Sequence, residues 1–135
     1  MPVLKPAPKR TLSPLKKDTR LPKENYLVAK FKVWAYEKWG RFDLESGTGM
    51  LLIRKVGTTM TSVETGWPDQ DIFIRRGPGR FDLMMLEWKR SNKHRCTEAQ
   101  LRRHAELRAM GVDVHVVSDV PAAKDLLQRK IGGAP

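Results

Sequence analysis

From Glu24 onward the chain alternates between helical and strand-like patterning of its apolar residues. Leu27, Val28, Phe31, Trp34 and Ala35 recur at three- and four-residue spacing, which predicts a helix over 24–39 closed by Gly40. Glu24 lies on that apolar face, in the first turn. Met50–Val56 (MLLIRKV) reads as a strand, followed by a polar loop over 57–66. Gln70–Arg75 (QDIFIR) and Phe81–Lys89 (FDLMMLEWK) read as two strands joined through Arg76-Gly77-Pro78-Gly79-Arg80, a Gly/Pro link that predicts a hairpin. Thr97 has N-cap character for a helix running to about Met110, with Gly111 just past its end. Val112–Ser118 (VDVHVVS) is a β-branched, buried-type strand, and 121–130 form a closing helix that Pro121 can begin. The order is α-β-β-β-α-β-α. The step from the 81–89 strand through the helix to the 112–118 strand requires a parallel, right-handed crossover, so the central sheet is expected to be mixed and flanked by helices.

The segment before Glu24 differs. Residues 1–23 hold five of the nine prolines (Pro2, Pro6, Pro8, Pro14, Pro22) and show no apolar periodicity, so they read as a flexible basic arm ahead of one folded domain, 24–135. The whole chain of 135 residues carries 26 Lys+Arg against 15 Asp+Glu, a net charge of +11. That surplus sits in two blocks, +6 over 1–23 and +6 over 75–108, while 24–74 come to −1. A polyanionic partner, usually nucleic acid, is the ordinary meaning of such an excess. The single cysteine, Cys96, excludes an internal disulfide and a Cys-based zinc site, and a reducing, cytoplasmic compartment is the simplest expectation. No stretch approaches the roughly 20 apolar residues of a membrane span.

Three fragments carry candidate chemistry: Gly66-Trp67-Pro68-Asp69, Glu87-Trp88-Lys89 and Thr97-Glu98-Ala99-Gln100. In the hairpin, Asp69 begins one strand and Glu87 lies near the end of its partner, so the two carboxylates can meet at one end of the sheet. Strand alternation points Glu87 and Lys89 to one face and Trp88 to the other. Paired hard oxygen ligands suit Mg²⁺ or Mn²⁺. A neighbouring lysine can orient or help deprotonate an attacking water, or stabilise charge on a phosphate.

The runs GWPDQDIFI, FDLMMLEWKR and CTEAQLRRHAELRAMGVDVHVVS together resemble the VRR-NUC family, virus-type replication-repair nucleases of the PD-(D/E)XK superfamily. The resemblance covers about residues 24–130 and implies a restriction-endonuclease-like core and a Mg²⁺- or Mn²⁺-dependent DNA endonuclease. It implies that Asp69 and Glu87 are metal ligands, with the Trp88 carbonyl a possible extra one, that Lys89 is the catalytic lysine, and that Gln100 lines the site. The family's first-helix glutamate matches Glu24, with Glu37, Glu45 and Glu64 as competing carboxylates. A homodimer acting on branched or Holliday-junction-like DNA, in phage or bacterial replication, repair or recombination, also follows from the resemblance.

Plainer readings stand beside these. Thr97 and Gln100 form a capping box that needs no catalysis, and Glu24 can simply complement the positive end of its helix. His94, His104 and His115 lack metal-ligand spacing and read as surface or packing residues, and Trp34, Trp39 and Trp67 as packing. Arg75, Arg76, Arg80, Arg90, Lys93, Arg95, Arg102 and Arg103 read as a phosphate-tracking DNA surface, with no base-reading element. The competing function is a non-catalytic DNA- or RNA-binding protein on a degenerate nuclease fold.

Overall fold

The computed structural model describes residues 24–56, 66–91 and 93–132. The expected N-terminal arm and nearly all of the polar loop over 57–66 lie outside the described residues. The elements are α1 (Glu24–Trp39), β1 (Leu51–Lys55), β2 (Gln70–Gly77), β3 (Arg80–Trp88), α2 (Glu98–Ala109), β4 (Asp113–Val117) and α3 (Val120–Gly132). The strands form one sheet in the order β1-β2-β3-β4, antiparallel across the first three and parallel between β3 and β4. This is the expected α-β-β-β-α-β-α order with a mixed sheet.

Alternation along the strands sorts the two faces. Leu51 and Ile53, Ile72 and Ile74, and Met84, Leu86 and Trp88 point toward α1 and α3, where they pack with Leu27, Val28, Phe31, Ala35, Ala123 and Leu127 in one buried core. Burying each large side chain here contributes on the order of 2 kcal/mol. The opposite face is covered only in part: Met85 and Val114 pack beneath Leu107 of α2, whereas Leu52 and Phe81 remain 41% and 59% exposed.

Gly40 ends α1 with φ 87° and its amide donating to the Tyr36 carbonyl at 2.8 Å, as a left-handed C-terminal glycine does. An excursion that the periodicity did not announce follows. Phe42 N–H donates to the Leu51 carbonyl and Asp43 N–H to the Thr48 carbonyl, each at 2.8 Å. Both lie beside β1, the sheet's edge strand. The hairpin between β2 and β3 pairs Gly77 with Arg80 around Pro78-Gly79, with a register irregularity after Arg75.

Candidate active site

Local backbone chemistry positions Asp69. Gly66 has φ +85°, and a Cβ there would lie 2.3 Å from the Ala99 carbonyl oxygen. Only glycine lets the Gly-Trp-Pro-Asp turn press against the first turn of α2. The turn thus delivers Asp69 to the start of β2, where its carbonyl accepts from Val56 N–H at 2.7 Å and its Oδ2 accepts from Trp88 N–H at 2.7 Å. Since Gln70 pairs with Leu86, Asp69 comes opposite Glu87.

Trp88 and Glu87 take opposite faces, as alternation demands. Trp88 is fully buried in the core against Phe31. Its indole Nε1 donates to Gln70 Oε1 at 2.9 Å, while Gln70 Nε2 reaches the Val28 carbonyl at 3.4 Å. This bridge ties the strand pair to α1. Glu87, also buried, faces α2 and the Asp69 carboxyl. Burial, first, and then repulsion and hydrogen bonding from Asp69 push the Glu87 carboxyl up to about 8, with Glu24 adding repulsion and Lys89 opposing it. A carboxyl buried against a second one in this way keeps its proton unless a cation replaces it.

Lys89 and Gln100 complete the cluster. Lys89 Nζ donates to Gln100 Oε1 at 2.9 Å and lies 3.8 Å from Glu87 Oε2; its side chain is only 11% exposed. Gln100 Nε2 donates to Glu87 Oε2 at 3.0 Å. The capping box is real too: Gln100 Oε1 accepts from Thr97 N–H at 2.9 Å, and Thr97 Oγ1 accepts from Gln100 N–H at 3.1 Å. The capping and active-site readings of Gln100 are compatible, because one amide oxygen serves the helix start and the lysine together.

Glu24 begins α1 close enough for its charge to act on Glu87. Among the described residues, however, no three His, Cys, Asp or Glu side chains converge into a metal-binding group. A pair of carboxylates is what the fold gathers. That donor set fits Mg²⁺ or Mn²⁺, which take one or two carboxylates and complete their shell with water and substrate phosphate oxygens.

His104, set aside as a surface or packing residue, is 1% exposed and places Nε2 at 3.2 Å from Glu87 Oε1. Burial, then Arg108 and Lys89, hold its imidazole below the usual histidine range. The available signal was its position four residues after Gln100, on the same helical face. The other histidines stay peripheral: His94 contacts Ser91 at 2.9 Å, and His115 contacts Asp113 at 2.8 Å.

The basic residues divide by environment. Arg75 and Arg80 line an open groove with Phe42, Phe73 and Phe81 on the uncovered sheet face. Arg76 is engaged structurally, by Asp82 at 2.7 Å and the Lys130 and Ile131 carbonyls at 2.7 and 3.2 Å. Arg103 pairs with Glu106 at 2.8 Å and stacks 5.0 Å from the Trp67 ring, which is 39% exposed. Lys93, Arg95 and Arg102 are exposed and Arg90 is half-buried.

A helix-flanked mixed sheet carrying a carboxylate pair and a lysine at one end of its central strands defines an α/β domain with an acidic-basic cluster. A solved structure described as a VRR_NUC domain matches it with a TM-score of 0.56 at 22% identity, over 79% of this chain and 97% of that one. The chain has the VRR_NUC fold, which supports the family resemblance read from its motifs. No protein-family model matches the sequence, and no curated protein does.

Proposed function

We propose that this protein is a Mg²⁺- or Mn²⁺-dependent DNA endonuclease that hydrolyses phosphodiester bonds, selecting branched or Holliday-junction-like DNA by shape in phage or bacterial replication, repair or recombination. The observation that carries this reading is the hydrogen-bonded convergence of Asp69, Glu87, Lys89 and Gln100 from two strands and a helix. Asp69 and Glu87 would hold the cation, with Glu24 and the Trp88 carbonyl as further ligands. When bound, the cation neutralises the carboxylates, activates water and offsets charge on the phosphate. Lys89 positions the attacking water, and Gln100 aims the lysine by accepting a hydrogen bond from its ammonium. The water oxygen would join phosphorus, giving up a proton to bulk water, as the bond to the 3′ oxygen breaks, leaving a 5′-phosphate and a 3′ oxygen that takes a proton from water to become a hydroxyl.

Arg75, Arg80, Arg90, Lys93, Arg95, Arg102 and Arg103 would grip phosphates on either side of the cut, with the 1–23 arm adding non-specific contacts. Arg76 would add charge at the hairpin without leaving its structural partners. A homodimer would present two such sites to two strands. Among the described residues no helix is long and apolar enough to cross a membrane, and none is needed by this reading.

The test is cleavage of plasmid, flap and four-way-junction DNA with Mg²⁺ or Mn²⁺, beside Glu87→Ala and Lys89→Ala. Metal-dependent cutting lost in both variants is expected. A wild type that cuts nothing, or variants that cut equally well, would overturn the reading. Light scattering should give twice the 15.5 kDa chain mass; a monomer at working concentration removes the dimer.

A further inference from the structure

Both oxygens of Glu87 are engaged, and by different elements of one helix. Oε2 accepts from Gln100 at 3.0 Å, while Oε1 faces His104 Nε2 at 3.2 Å, one helical turn further on. The imidazole is 1% exposed, and its Nδ1 is buried with no hydrogen-bond partner. That pattern selects one arrangement of the ring. A proton on Nδ1 would be a buried donor without an acceptor, and it would leave the Nε2 lone pair against a carboxylate oxygen. A proton on Nε2 satisfies Glu87 and leaves only a lone pair at Nδ1.

We infer that His104 is a positioning residue that donates Nε2–H to Glu87 Oε1 and fixes the orientation in which this carboxylate meets its cation. The inference rests on the proposed metal-dependent reading of the site. His104 acts through Glu87 and touches neither the cation nor the DNA. Partners that orient a ligating side chain typically change metal affinity or activity 10–100-fold when removed. The sequence pattern that encodes the device is Gln-x-x-x-His over 100–104, which puts two donors one turn apart above the two oxygens of a single glutamate.

Four variants separate positioning from packing. His104→Phe keeps the ring volume and loses the donor. His104→Gln keeps a donor near the Nε2 position, and His104→Asn withdraws it by one methylene. Glu87→Gln is the reference for loss of the ligand. Each is followed by calorimetric titration with Mn²⁺ alone, by thermal melting without metal, and by cleavage.

The expected result is that His104→Phe melts near the wild type yet binds Mn²⁺ 10–100-fold more weakly, with His104→Gln restoring most of the affinity and His104→Asn little. If His104→Phe does not fold, the Gln-against-Asn comparison decides alone. Equal Mn²⁺ affinity in wild type and His104→Phe, or in the Gln and Asn variants, overturns the positioning role. That failure leaves the metal site standing as long as Glu87→Gln abolishes binding. A wild type that takes up no Mn²⁺ overturns both readings together.

Discussion

Replacing Glu87 by glutamine while varying pH probes the cost of burying this carboxyl beside Asp69. Folding raises this carboxyl from 4.5 to about 8, chiefly by burial and then by the Asp69 charge. A group raised on folding contributes its stability fully below its unfolded value and loses it as pH climbs through the folded one. With respect to this site the metal-free protein should therefore be fully stabilised below pH 4.5 and weaken progressively as the pH rises from there to about 8. At ~1.4 kcal/mol per pH unit, the total is roughly 5 kcal/mol, of which about 3–4 kcal/mol falls between pH 5 and 8. For a domain of this size that change corresponds to a fall in Tm on the order of 10 °C.

Glu87→Gln keeps the shape and cannot ionise, so its melting curve should lack this component. The assay is thermal denaturation in EDTA from pH 5 to 8, wild type beside variant. Adding Mn²⁺ should raise the wild-type Tm most at pH 8, where the cation offsets the charge that Glu87 has begun to carry. Parallel curves for the two proteins in EDTA would refute the reasoning, because they would mean that burial against Asp69 does not raise the Glu87 carboxyl.

Further outcomes follow from the same contacts. Lys89→Met should lower cleavage by about 10²-fold or more with little change in Tm, measured by single-turnover cutting. Gly66→Ala should destabilise by about 1–3 kcal/mol in urea titration, because its Cβ meets the Ala99 carbonyl at a positive φ; a neutral result would mean that the turn does not press on α2. Thr97→Ala should cost about 1 kcal/mol of stability and also reduce cleavage, since the capping box holds the amide that aims Lys89. Gln70→Leu should cost about 1–3 kcal/mol by stranding the buried Trp88 N–H, read as a lower urea midpoint.

Much of the site was legible because its parts are local. The Gly-x-Pro-Asp turn, the Glu-x-Lys alternation and the Thr-x-x-Gln cap each encode their geometry within four residues. The hairpin signal then suffices to bring Asp69 opposite Glu87. The edge excursion after Gly40 was not legible, because its short bridges depend on β1 being the sheet's outer strand and leave no periodic trace. Nor could the arginines be sorted: Arg76 and Arg75 are neighbours in sequence, yet one is held by Asp82 and two helix-end carbonyls while the other lines an open groove with phenylalanines.

The sequence by itself determined the seven elements, the faces of the strands and the pairing of two carboxylates with a lysine, since periods of 2 and 3.6 and turn chemistry act over short separations. Tertiary structure decided how that cluster is tuned. Whether His104 is packing or a partner of Glu87, and how close Glu24 comes, depend on the depth at which α2 and α1 settle on the sheet. Packing across all three layers sets that depth. The same burial that orders the site also forces the Glu87 charge to find a proton or a cation.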